Sequence, residues 1–174
     1  AGWTGIRRVF PGIGAIQTDS GALDWRGPLQ DGDFTVDAHF ASAAAPSGQW
    51  QGAGHVRPGL LSLSSLVYDG EAGGLAASGL IRHGNGLQGN LSLNLTGFRS
   101  NHWLPDWPAT LSGPVTVTGE WGASGKQANL TDMQLTGVLK DKPLAVAGNL
   151  RILPRADGLP DFAGQGLQLD WGDD

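Results

Sequence analysis

An all-β fold of mostly antiparallel strands is what this 174-residue sequence predicts, and three observations predict it. Apolar and polar residues alternate with period two along most of the chain, as in strands that face two different environments. Turn signals break the alternation about every 8–14 residues, whereas a parallel crossover needs a dozen or more connecting residues. Charged residues make up 16% and glycines number 29, against a usual charged share of about 25%. The fold class expected is all-β.

Taken in order, Leu23, Trp25, Gly27 and Leu29 oppose Asp24, Arg26 and Pro28. Phe34, Val36, Ala38 and Phe40 oppose Asp33, Thr35, Asp37 and His39. Trp50, Gly52, Gly54 and Val56 follow, then the leucines from Leu87 through Leu91, Leu93 and Leu95 against Gln88, Asn90, Ser92, Asn94 and Thr96. Leu111, Val115, Val117 and Trp121 oppose Ser112, Thr116, Thr118 and Glu120. The last runs are Leu144, Val146, Leu150 and Ile152, then Leu167, Leu169 and Trp171. The phase slips near Ser64-Ser65 and near Thr131-Asp132, where one extra residue makes a β-bulge. Turns are expected at Gln30-Asp31-Gly32, Asp69-Gly70, Gly84-Asn85-Gly86, Ala123-Ser124-Gly125 and Lys140-Asp141-Lys142. The helical candidates are the short run Ser42-Ala43-Ala44-Ala45, ended by Pro46, and a single turn from Asn101 to Leu104.

Glycine recurs on the apolar side, at Gly27, Gly52, Gly54, Gly79, Gly89, Gly113, Gly119 and Gly148. Glycines there either let a sheet curl toward its own apolar face or leave room above it.

Several functions find no support. A net charge of -5, with scattered basic residues, disfavours a nucleic-acid surface. Zero cysteines remove disulfides and thiol chemistry. His39, His55, His83 and His102 show no zinc spacing. The glycine match at Gly84-Asn85-Gly86-Leu87-Gln88-Gly89 precedes a strand rather than a helix, so it reads as a hairpin turn and not a dinucleotide fingerprint. The three N-L-[ST] sequons at Asn90, Asn94 and Asn129 follow from Leu alternating with a polar face. Neither an enzyme nor a cofactor is expected.

Between two alternating runs stands Ser100-Asn101-His102-Trp103-Leu104-Pro105-Asp106-Trp107-Pro108. Proline cannot donate a ladder hydrogen bond. Pro105 and Pro108 are therefore expected to suspend pairing, with Trp103 and Trp107 as apolar plugs, making a structural joint near 100–108. Leu104-Pro105-Asp106-Trp107 echoes in Leu159-Pro160-Asp161-Phe162, and Leu23-Asp24-Trp25 in Leu169-Asp170-Trp171. Such echoes are expected of repeating hairpin units. The chain is taken as one continuous sheet over residues 1–174, cut from a longer protein.

The order GNLSLNLTGF, WLPDWPATLSGPVTVTGEW, LTDMQLTGVLKDKPLAVAGNLRI and GLQLDWGDD resembles the TamB family of AsmA-like, bridge-type proteins. The resemblance runs from about Gly21 and is densest between Leu87 and Trp171. It implies a sheet curled into an open, taco-like groove with an apolar concave face. It also implies a periplasmic location in a Gram-negative envelope, an inner-membrane anchor outside this segment, and a BamA-like outer-membrane partner, TamA. The family roles implied are phospholipid movement from inner to outer membrane and help with autotransporter or outer-membrane protein assembly. No catalytic residue carries over.

An apolar sheet face with no helix to cover it must fold on itself, pair, or accept acyl chains. The residues expected to line that surface are Leu91, Leu93, Leu95, Val115, Val117, Leu135, Val146 and Leu150. An ordinary dry core is their alternative. The rival functions are a β-augmentation platform for outer-membrane protein clients and a passive β-sandwich spacer.

Overall fold

A computed structural model describes residues 2–10, 14–42, 46–84, 86–102, 108–122, 125–153 and 161–172. The strands are β1 (Gly2–Phe10), β2 (Gly14–Arg26), β3 (Gly32–Ser42), β4 (Gly48–Arg57), β5 (Leu60–Gly70) and β6 (Gly73–His83). They continue with β7 (Gly86–Arg99), β8 (Ala109–Gly122), β9 (Gly125–Leu139), β10 (Lys142–Leu153) and β11 (Asp161–Trp171). A single 3-10 turn, Ser100–His102, lies between β7 and β8. The eleven strands form one sheet in sequence order, each antiparallel to the next. The sheet is open, because β1 and β11 stand at opposite ends of that order.

Residues paired across strands share a face, so register reports the sidedness of the whole sheet. One transverse row runs Phe34, Gly54, Leu63, Gly79, Leu91, Val117, Leu130, Leu150 and Gly164. The row on the opposite face runs Leu80, Asn90, Thr118, Asn129, Arg151 and Ala163. Alternation within each strand thus becomes a largely apolar face from β3 to β11 and a largely polar one from β6 to β11.

That sidedness would fail at any unmatched slip, since a one-residue shift swaps the faces. Both expected bulges are present. Gly54 pairs with Leu63 while Ala53 pairs with Ser65, leaving Ser64 as the extra residue. The ladder between β9 and β10 shifts between Gly148 and Leu150, beside Asp132 at φ 54°. Each bulge restores phase, so the leucines beyond it return to the apolar side.

The glycines separate into two kinds. Gly113 has φ +128°, and a Cβ there would overlap the Gln134 carbonyl oxygen, so neighbouring backbone already fills the space. Gly89, paired with Gly119, would meet nothing within 4 Å. The former marks a tight bend and the latter leaves open room.

Two expectations need correction. Leu29 is not on the apolar face but almost fully exposed. The strand ends at Arg26, because Gly27 takes φ +112°, Pro28 has no N–H to donate, and Asp31 N–H closes a turn onto Pro28 O at 3.1 Å. The alternation also assigns no element to residues 2–10, which form β1 and pair with β2. The turn at Lys140-Asp141 is present, with φ 51° and 64°. The alanines at 43–45 lie outside the described residues.

Replacing Gly113 by Ala forces a strained φ together with a backbone overlap, and is expected to destabilise by roughly 2–4 kcal/mol. Gly89→Ala is expected to change stability by less than about 1 kcal/mol. Urea unfolding midpoints of the two variants measure the contrast, and equal midpoints would contradict it.

Candidate functional site

All eight predicted lining residues fall on the apolar face. Leu91 and Leu93 of β7 pair with Val117 and Val115 of β8, and Leu95 with Gly113. Val146 of β10 pairs with Leu135, and Leu150 with Leu130. Val115, Met133 and Leu135 are 7%, 3% and 9% exposed, and Leu93, Leu95, Leu111, Val117, Leu130, Val146 and Leu150 pack against them. Leu91 lies in the same row, partly buried.

The predicted set leaves out Met133, Leu130 and Leu111, of which the alternation had placed only Leu111 on the apolar side. Met133 sits one residue past Asp132, where the bulge breaks the period that would have placed it. Reading the phase afresh beyond each slip would have found it.

A second apolar concentration lies between β4 and β5. Trp50 and Tyr68 pair across the strands with ring centroids 4.7 Å apart, tilted 44°. Tyr68 is 1% exposed, donates its hydroxyl to Ser47 O at 3.1 Å and accepts from Ala72 N–H at 3.0 Å. This clamps the β3–β4 connection to the β5–β6 turn. The echoed Leu-Asp-Trp runs also acquire a physical role. Trp171 is the last residue of β11 and Trp25 the last but one of β2, and their indoles donate to Leu139 O and Gly27 O, each at 3.1 Å. The tryptophans therefore sit near strand ends on the apolar side.

Of the expected joint, Pro108 is exposed immediately before β8. Trp103, Pro105 and Trp107 lie outside the described residues. On the described flanks, Ser100 Oγ accepts from Ala109 N–H at 2.9 Å, and pairing resumes at Arg99 with Thr110. The segment thus links two neighbouring strands of one sheet.

The polar face carries side-chain ladders. Asn129 Nδ2 donates to Thr118 Oγ1 at 3.4 Å, Arg151 to Gln127 Oε1 at 2.8 Å, and both Gln49 and Gln51 to the Asp37 carboxylate. His55 bridges two carboxylates, with Nε2 2.8 Å from Asp31 and Nδ1 2.9 Å from Asp33. The hydrogen bond with Asp33 raises its pKa above the ordinary 6.5; partial desolvation opposes this, and the Asp31 and Asp33 charges add to it. Among the described residues, no group of three or more His, Cys, Asp or Glu side chains is placed to hold a metal ion.

An open, eleven-stranded antiparallel sheet that sorts apolar and polar residues to opposite faces defines an all-β, single-sheet protein. The chain matches the model of the TamB N-terminal domain over residues 10–174 and belongs to the TamB family. The match begins earlier than the motifs from Gly21 onward imply. The family is one of bacterial envelope proteins and is involved in the translocation and assembly module. Among the described residues no helix is long and apolar enough to cross a membrane. No curated protein and no solved structure matches the chain.

Two outcomes follow. Tyr68→Phe strands the buried Ala72 N–H and frees Ser47 O, so a loss of about 1–3 kcal/mol in thermal or urea unfolding is expected. For His55, a folded pKa above the unfolded value makes its stabilisation complete below about pH 6.5. That stabilisation is lost as pH rises through the raised folded value. NMR titration of the imidazole is expected to give a midpoint above 6.5, moving down in Asp33→Asn.

Proposed function

We propose that this sheet carries phospholipid along its apolar face as the periplasmic part of an inner-membrane-anchored bridge toward the outer membrane. An associated role in autotransporter and outer-membrane protein assembly is included. The supporting observation is a face that stays apolar from Phe34 on β3 to Leu150 on β10. Its best-buried residues, Val115, Met133 and Leu135, pack against side chains of that same face. Such a sheet gains by curling so that neighbouring side chains shelter one another, and the apolar-concave groove is part of this proposal.

Acyl chains complete the shelter. Each CH2 moved from water to such a surface contributes about 0.8 kcal/mol, and the attraction has no directional demand that would fix a chain at one station. Carriage of this kind uses no catalytic residue, cofactor or metal. The BamA-like partner TamA, and the anchor, engage other parts of the parent protein.

A second reading has its own observation. β11 is exposed along its whole length and stands at the open end of the strand order, so an extended client segment could add there by β-augmentation.

Leu93→Asp and Val117→Asp each place a carboxylate on the apolar face. The expected outcome is a folded protein from which bound phospholipid, quantified by extraction and mass spectrometry, falls at least several-fold, with loss of envelope complementation. Folded variants that retain lipid and complement normally would overturn the carrier reading. Client crosslinks confined to β11 would favour augmentation.

A further inference from the structure

The turn between β2 and β3 is held from both faces of the sheet. On the apolar side the Trp25 indole donates to Gly27 O at 3.1 Å and to Pro28 O at 3.2 Å. Its ring lies against Gly32, where a Cβ would overlap it. On the polar side His55 of β4 reaches two carboxylates, that of Asp33 opposite it in the ladder and that of Asp31 in the turn. Asp31 precedes the first residue of β3, and its N–H donates to Pro28 O at 3.1 Å.

The two contacts set a proton requirement. A neutral imidazole has one N–H donor and one acceptor nitrogen, whereas the imidazolium has two donors, and an ionised carboxylate only accepts. Contacts at 2.8 Å from Nε2 to Asp31 and 2.9 Å from Nδ1 to Asp33 are therefore satisfied together by the charged ring. Once that proton is lost, a ring lone pair faces a carboxylate oxygen and one contact must give. Asp33 is fixed by its ladder pairing with both Arg26 and His55, so Asp31 is the one that leaves. The neighbouring charges are engaged elsewhere. Arg26 stands opposite Asp33 on β2 but holds its Nη2 3.2 Å from Asp24. Asp37, farther along β3, accepts from Gln49 and Gln51. Ser62 faces His55 from β5 without charge, and Arg57 of β4 and Arg82 of β6 are the cations of that face that oppose protonation.

We propose that His55 is a proton-operated latch on the β2–β3 turn: the imidazolium holds Asp31 to β4, and the neutral ring releases it. Strand pairing outlasts the release, because Asp33 and His55 stay in the ladder. The turn then rests on Trp25, whose two acceptors lie within it, so the end of the apolar face at Trp25 and Phe34 loosens with it. The latch is closed at low pH and opens as pH rises through the folded pKa of His55, which lies above 6.5. With His55 and Asp31 side chains 40% and 62% exposed, the effect is that of a surface ion pair.

The test follows hydrogen exchange at Asp31 N–H and the Trp25 indole N–H resonance in the purified protein between about pH 5.5 and 8.5, the range in which histidine titrates. Exchange is corrected for its intrinsic pH dependence. Wild-type protection at Asp31 is expected to fall by roughly two- to five-fold, at the midpoint of the His55 ring titration, and the Trp25 resonance to shift with the same midpoint. Asp31→Asn is expected to remove the step from both probes while His55 still titrates above 6.5 through Asp33. His55→Gln is expected to leave both probes flat. Protection that stays constant across the His55 midpoint in wild type, or a step that persists in either variant, would overturn the latch.

Discussion

Everything in this molecule depends on how a single layer shelters an apolar face. Most domains bury such a face against a second layer of helices or strands. Here the strands pair only with their neighbours in sequence order, so shelter comes from side chains leaning on one another across the face. Val115, Met133 and Leu135 reach core-like burial this way. Tyr68 does so with the added help of two backbone hydrogen bonds. The opposite face is built for water, with Asn129, Thr118, Gln127 and Arg151 satisfying one another laterally. Fold stability and surface chemistry are therefore the same property, because residues that hold the layer together also form the area it presents.

Shelter across a face requires that all strands agree on which side is apolar. Continuous alternation over many strands accumulates twist and mismatch, and bulges are the means of absorbing them. Ser64 and Asp132 mark two such places, and in each the next leucine or methionine returns to the apolar face. Glycine permits the accompanying close backbone approach, as at Gly113 against Gln134. Where no approach occurs, as at Gly89, glycine leaves room instead. Both roles weighed from the sequence are therefore realised, at different positions.

How much of this was legible follows from what period two can and cannot carry. Strands with contrast between their sides, such as Leu87 to Leu95 or Val115 to Trp121, declared both their existence and their apolar face. β6 did not, because Gly73, Gly74, Ala76, Ala77, Ser78 and Gly79 are small on both sides and give no contrast. In β5 the run Leu60-Leu61-Ser62-Leu63-Ser64-Ser65-Leu66-Val67 contains the slip itself. The alternation also overran its end at Pro28-Leu29, where turn chemistry prevailed over pattern. The eight apolar residues singled out from the sequence share one face because parity passes through register. The row Leu87, Trp121 and Lys126 did not emerge, since these residues meet only once β7, β8 and β9 are paired.

The same geometry bears on whether face or edge is the working surface. An edge strand templates a further strand best when it is flat, regular and free of charge. β11 is exposed, but Gly166 takes φ +59° where the ladder to β10 shifts between Ala147 and Asn149. Asp161 and Asp170 add negative charge near its two ends. A bulged, acidic edge resists indiscriminate pairing, and would accept a partner only in a register that accommodates the bulge. The apolar face has the opposite character, being continuous across β3 to β10 and without directional preference along the row from Phe34 to Leu150. A ligand without fixed sequence or register is matched by the face, and a ligand with a particular strand by the edge. For the phospholipid cargo proposed above, which is chemically uniform, that difference weighs on the side of the face.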